Sequence, residues 1–423
     1  MPNLPEGKIF FQKLAIIRQS DGKVIDIDTA TVNELKIYED LTFPGILGEI
    51  NLVDWYDFFK IHEIIAGDKL VLQFFTEGED LLSLEYTIYA SKNNIMYEGG
   101  NSNFTTFYFC SDWLIKAFGT QYSKFYDNQY IHQIVEDIIN YCGTSYKEYE
   151  PTLTKYEHFV SPLWTPIHTI KYLLTYTQSK SDKSPAYFLY PDIKTDKLYF
   201  KSWNKIIEDG LKNYDEEHPF VIKAKNTVYK NRVFQMSLED NFDLIQYLNK
   251  GFYKQEILNF DEDHKKIYKI DKDVNQYSDL FYHLSRYLPY PKEYEKSEYK
   301  TISAIWLYPN RKFIPTNNCY KDMIDAYQKT LYTHLFSSFI KINLFTNGSS
   351  DKRVGQMIKV VVPGLDKNKT SINEVMTGAY IIRNILHVFK GNNYYQYLTV
   401  VSDGYKILER QDTIKWTGSK IIL

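Results

Sequence analysis

The sequence predicts an α+β, mainly β, protein, and three observations carry that reading. Apolar and polar residues alternate with period two over residues 1–118 and again over 336–423. Between them, 119–205 shifts to a helical period. The third observation is compositional: 38 Tyr and 26 Phe dominate a 17% aromatic fraction, and aromatic residues favour strands and protein interfaces. An AT-rich coding sequence would inflate the same residues, so composition alone separates nothing. A chain of 423 residues suggests two to three domains at about 150 residues each.

In chain order, Phe10–Ile17 and Lys23–Ile27 form a hairpin around Asp21-Gly22. Glu34–Tyr38 ends a strand, Pro44-Gly45 is expected to break the run, and Ile46–Val53 resumes it with Ile46, Gly48, Ile50 and Leu52 on one side. After the Gly67-Asp68 turn, Leu70, Leu72 and Phe74 alternate with Val71 and Phe75. That second row is too apolar for an open face, so Val71 and Phe75 are expected to be covered. Leu84–Ser91 and Phe104–Cys110 complete a set of short strands suited to a barrel or a sandwich.

Residues 119–215 read as an inserted α/β unit. Ile131, Ile134, Val135, Ile138 and Ile139 form a helical stripe ended by Gly143. Thr165 caps a second helix with Pro166 at its first position, and Ala186–Trp203 is a hairpin. Residues 216–275 return to strands at Val228–Leu238 and Phe252–Phe260, around a short helix at Phe242–Leu248. Residues 276–335 are an insertion: a Tyr- and Pro-rich excursion, then a helix from Tyr320 to Leu335. The last segment, 336–423, parallels the first in strand count, in a Gly-then-apolar entry and in closing on a long alternating hairpin. This is a weak internal duplication. Ile382 and Leu386 in that hairpin are expected on a buried or interface face.

Charge and motifs narrow the function. With 50 basic and 53 acidic side chains the net charge is -3, which offers no footprint for nucleic acid and no polybasic membrane patch. Cys110, Cys142 and Cys319 are far apart and odd in number, consistent with reduced, buried thiols and with neither a disulfide framework nor a zinc cluster. No apolar run is long enough to span a bilayer, and the first residues lack the order of a signal peptide, so a cytosolic origin is expected. His62-Glu63 has no second histidine to complete a zinc-protease helix. His387, mid-strand between Leu386 and Val388, reads as a satisfied core or lumen-facing histidine rather than a ligand. Asp271, Asp273 and Asn275 open like a calcium loop, but Gln276 stands where Gly is needed and Tyr282 where the bidentate Glu belongs. Asp261, Glu262, Asp263 and His264 sit beside two lysines and read as a solvated turn. Gly99-Gly100 lacks a following helix. No catalytic, cofactor-binding or metal-binding residue is assigned, and no enzyme activity is expected.

Taken together, the residues resemble the baseplate hub proteins of bacteriophage tails, related to the N-terminal hub region of type VI secretion spike proteins. Three pieces carry the resemblance: Glu39 to Asp68 with Pro44, Gly48, Asp54 and Gly67; the 119–205 insertion with SPLWTPIHTIKYLL and its hairpin; and TGAYIIRNILHVFKGNNYYQYLTVVSDG, Thr377 to Gly404. The resemblance implies two similar tube-forming β-barrels per subunit. It implies a homotrimer whose six barrels form a ring, joining a tail tube protein to a central spike protein. Other baseplate proteins and the tape measure protein are implied partners, with DNA only in transit and no membrane. The implied location is the tail baseplate of a virion, assembled in the host cytoplasm. The competing reading is a glycan- or peptidoglycan-directed hydrolase or binding module that stacks Trp55, Trp164, Trp203 and Trp306 on sugars.

Overall fold

The first β region begins with β1 (Ile9–Ile17), β2 (Val24–Asp26), β3 (Val32–Asp40) and β4 (Phe43–Asp54). The short helix α1 (Phe58–Ile61) and strands β5 (Lys69–Thr76), β6 (Leu82–Ile95) and β7 (Asn103–Cys110) complete it. The computed structural model describes residues 8–54, 58–76, 79–95, 103–222, 231–240, 244–261, 266–273, 319–364 and 372–404, with 282, 284, 287–289, 301–305 and 413–415. Strand order is β2-β1-β5-β6-β7-β4-β3. Leu35, Ile37, Ile50, Leu70, Leu72 and Phe109 fill the interior. Pro44-Gly45 does not break the chain: both lie inside β4. Pairing of β4 with β7 starts at Leu47, so Pro44 stands on an overhang where no ladder donor is required. Val71 is buried, and Phe75 packs on Phe10 with ring centroids 5.3 Å apart.

The chain continues through α2 (Asp112–Gly119), β8 (Phe125–Tyr130), α3 (Ile131–Cys142), β9 (Tyr146–Tyr149), β10 (Lys155–Val160), α4 (Pro166–Thr175), β11 (Tyr187–Asp192), β12 (Lys197–Ser202) and α5 (Trp203–Lys212). Its helix signals work as read. Gly143 takes φ 98 at the end of α3, and the Thr165 side chain accepts from the His168 N–H with Pro166 at the first turn. Helices α2 and α5 are additional to the elements expected from the sequence; α5 is capped by Ser202, whose side chain accepts from the Lys205 N–H.

The second β region comprises β13 (Phe220–Ile222), β14 (Arg232–Asp240), β19 (Ile340–Asn347), β20 (Met357–Val361), β21 (Gly378–Lys390) and β22 (Asn393–Ser402). Between β14 and β19 lie α6 (Leu244–Asn249), β15 (Lys254–Asp261), β16 (Lys266–Asp273), β17 (Tyr287–Pro289), β18 (Thr301–Ile305) and α7 (Cys319–Phe336); β23 (Thr413–Lys415) pairs with β17. The six strands close on themselves in the order β21-β20-β13-β14-β19-β22, with the three-residue β13 bridging β20 and β14 at two positions on each side.

The duplication is explicit in the pairing. Five strands of the first region run β3-β4-β7-β6-β5 and five of the second run β14-β19-β22-β21-β20, all antiparallel to their neighbours. Irregularities recur at matching places. A bulge at Tyr89 between Ile88 and Ala90 matches one at Arg383 between Ile382 and Asn384. Another at Asn33 matches one at Phe234. Gly67 and Gly355 both take positive φ, 103 and 81. Their N–H groups donate to the Ile88 and Ile382 carbonyls at 2.8 Å in each case. Only the first strand differs: β1 runs antiparallel to β5, whereas β13 runs parallel to β20.

Candidate functional site

The two β regions meet edge to edge. Strand β21 is longer than β20, which pairs only with Gly378 to Ile381. The rest of that edge takes β3: Leu386 opposes Tyr38, His387 opposes Ile37 and Phe389 opposes Leu35. The hairpin tip then reaches the first barrel, where the Ile9 N–H donates to the Asn392 carbonyl at 3.0 Å. Phe389 and Tyr394 join the first barrel's interior, with Phe389 5.0 Å from Phe74 by ring centroid. One side of the seam is a buried polar cluster. His387 Nε2 lies 2.7 Å from Glu39 Oε1, and its Nδ1 lies 2.7 Å from the Tyr394 hydroxyl. Gln396 Nε2 donates to the Ser349 carbonyl at 2.8 Å. Burial, with Glu79 and Glu39 nearby, holds the Tyr394 phenol well above its usual pKa. Glu79 ties the same corner by accepting from the Ser350 N–H at 2.8 Å. His387 is thus a satisfied core histidine, and its role is to join barrels.

The other side of the sheet faces away from both barrel interiors and crosses the seam without interruption. In the first region Lys36 Nζ reaches Glu49 at 2.9 Å and Glu34 at 2.6 Å. Asn33, Asn51 and Thr106 form a hydrogen-bonded row. In the second, Thr399 donates to Asn343, Asn343 to Glu239, and Lys341 pairs with Glu239. The positions of Asn33, Asn51 and Thr106 are taken in the second region by Phe234, Phe345 and Tyr397, with Phe345 and Tyr397 stacked at 4.7 Å. The face therefore carries a polar row in one half and an aromatic one in the other, with carboxylates outnumbering lysines among the residues named.

Among the described residues no three His, Cys, Asp or Glu side chains converge as metal ligands. Asp271 and Asp273 lie in β16, whereas Asn275 and the 262–264 cluster lie outside the described residues, as do Gly99-Gly100, Trp55 and Trp306. Trp203 is buried in the core and offers no platform for a sugar, and Trp164 is half-buried with edge-on contacts to His168 and Tyr172. Cys110 and Cys142 are buried free thiols, and burial raises both, to about 12 and about 11. An apolar crevice of about 340 Å³ between Pro44, Ile167, Phe188 and Tyr327 holds no convergent acid and base. A polar one of about 460 Å³ contains Lys201, already neutralised by Glu148 and Asp209. Among the described residues no helix is long and apolar enough to cross a membrane.

No protein-family model and no curated protein matches the sequence. Solved structures do match in shape. The 43 kDa tail protein of prophage MuSo2 from Shewanella oneidensis is similar at TM-score 0.55 and 10% identity, over 94% of this chain and 100% of that one. The tail protein from Neisseria meningitidis MC58 is similar at TM-score 0.53 and 9% identity, over 93% of this chain and 97% of that one. At such identity the likeness is one of architecture, and it spans both β regions and the insertion together: the chain has the fold of a prophage tail protein.

Proposed function

We propose that this chain is the baseplate hub of a phage or phage-like tail, a structural protein without catalytic activity. Three subunits form a pseudo-six-fold ring that joins the tail tube to a central spike, and the face described above lines the channel. On this reading 1–118 and the two segments 216–275 and 336–423 are the tube-forming domains, with 119–215 and 276–335 inserted. The observation that carries the proposal is the β3–β21 seam, which sets two β regions sharing a five-strand order edge to edge in a single chain. A repeat of that step is a ring, and closed cyclic symmetry limits its growth. The lysines Lys36 and Lys341 on this face are paired with carboxylates, which suits a passage for DNA, because a basic lumen would bind its phosphates. Native mass spectrometry and negative-stain imaging of the full chain, alone and with the spike protein, test this. Three-fold rings are expected; a stable dimer under both conditions refutes it.

A further inference from the structure

The seam inside the chain leaves its two counterparts unused. Strand β6 is the duplicate of β21, and β5 covers only Leu82 to Thr87 on the edge opposite β7. Among the described residues no strand pairs with the rest of that edge, which is where β21 takes β3. Strand β14 is the duplicate of β3. Among the described residues its edge opposite β19 is paired only at Arg232 and Val233, by β13.

We propose, resting on the hub reading above, that the partner of these two edges is a second copy of this chain: β14 of one subunit pairs antiparallel with the end of β6 of the next. Carrying the register of the internal seam across the matched positions sets Glu239 opposite Lys92, Leu238 opposite Asn93 and Ser237 opposite Asn94.

Three features of the edges support this occupant. The matched register brings a carboxylate opposite a lysine, Lys92 and Glu239 both being exposed and both on the sheet face away from the barrel interiors. Leu238 takes the place of Ile37, which is fully buried by the internal seam, yet Leu238 remains 46% exposed. An exposed leucine in a row that is otherwise interior marks the missing strand. The contact also continues an interface that the molecule already builds once. Because β14 and β6 are different surfaces, the contact is head-to-tail, and it closes only if successive steps complete a rotation.

The test is oxidative cross-linking of the full chain. Directly opposed Cα atoms in a sheet lie within disulfide reach, whereas diagonal neighbours lie at its limit. The variant Lys92→Cys with Glu239→Cys is compared with the offset pair Lys92→Cys with Ser237→Cys, with each single substitution and with the unsubstituted chain. All substituted positions lie in the described strands, and circular dichroism verifies folding. Roughly tenfold more intermolecular disulfide is expected from the matched pair than from the offset pair, in a covalent series that stops at three chains. Equal cross-linking by the offset pair overturns the register. No cross-link at the highest soluble concentration, in a chain that native mass spectrometry shows to be trimeric, overturns the pairing and leaves the hub reading intact. A matched-pair series that extends past three supports the pairing and refutes the three-fold ring.

Discussion

Asp196 joins the insertion to the first barrel through one hydroxyl. Ser111 Oγ accepts from the Ile46 N–H at 3.1 Å and donates to Asp196 Oδ1 at 2.6 Å. Burial raises the Asp196 carboxyl from 3.8 to about 6, with Asp112 adding to it and the Ser111 hydrogen bond opposing it. The folded protein thus binds this proton more readily than the unfolded chain does. The carboxyl weakens the fold as pH climbs from about 4 through 6, and its full cost is present above that window. Asp196→Asn keeps the acceptor oxygen and suits the residue's φ of 51. It is expected to stabilise by about 1–3 kcal/mol at pH 7, with the gain vanishing near pH 4; urea melts at both pH values measure it. Gly48 is a second single-residue constraint. A Cβ there would lie 2.2 Å from the Phe109 ring, which is fully buried and stacked on Tyr86 at 5.1 Å. Gly48→Ala should cost about 1–3 kcal/mol through overpacking, read as a lower urea midpoint at unchanged slope.

At the scale of elements, the bulges decide which face a side chain occupies. Counting by twos places Ile382 and Leu386 together, but the extra residue at Arg383 shifts the alternation. Ile382 is fully buried with Ile385, while Leu386 is half-buried opposite Tyr397 and Tyr38 on the outward face. The two aspartate substitutions should therefore separate. Ile382→Asp puts an unpaired carboxyl in the core and should abolish soluble folded protein. Leu386→Asp should fold with stability changed by only about 1 kcal/mol. Soluble expression and thermal melting distinguish them, and equal damage from both would mean the bulge does not set the faces. The bulge at Tyr89 makes the same shift in β6, which is why Lys92 falls on the outward row.

For the molecule as a whole, the consequence is an uneven protection of strand edges. The β3–β21 seam is satisfied within one chain, whereas among the described residues no strand pairs with the ends of β6 and β14. Unpaired edges are an aggregation liability that a ring removes. Amide exchange of the dilute chain should show slow exchange at residues 35–40 and 384–389, and fast exchange at those alternate amides of 90–95 and 235–240 that point away from β7 and β19. Assembly should slow the second pair of segments by about tenfold or more while leaving the first unchanged. Slow exchange of all four segments in the monomer would show that another part of the chain already covers those edges.

Much of this was legible in the residues themselves. Alternation located β1 and β4 to β7, the 3.6-residue stripe and Gly143 located α3, and Thr165-Pro166 located the start of α4. These signals are local, set by side-chain period and backbone preference, and each survives without knowledge of the partner. What sequence could not supply was pairing between residues hundreds of positions apart. No residue pattern announces that β21 outruns β20 and takes β3, or that His387 meets Glu39 across the seam. Nor does it reveal that Asn33, Asn51 and Thr106 share their positions with Phe234, Phe345 and Tyr397, because the duplicated strands share hydrogen-bond geometry and bulges while their side chains have diverged. The sequence by itself determined the strands, helices and caps, since those depend on neighbours in the chain. Tertiary structure alone decided the edges, because a strand's free N–H and C=O groups are the same whatever side chains it carries, and only its position in the sheet determines whether they are already satisfied.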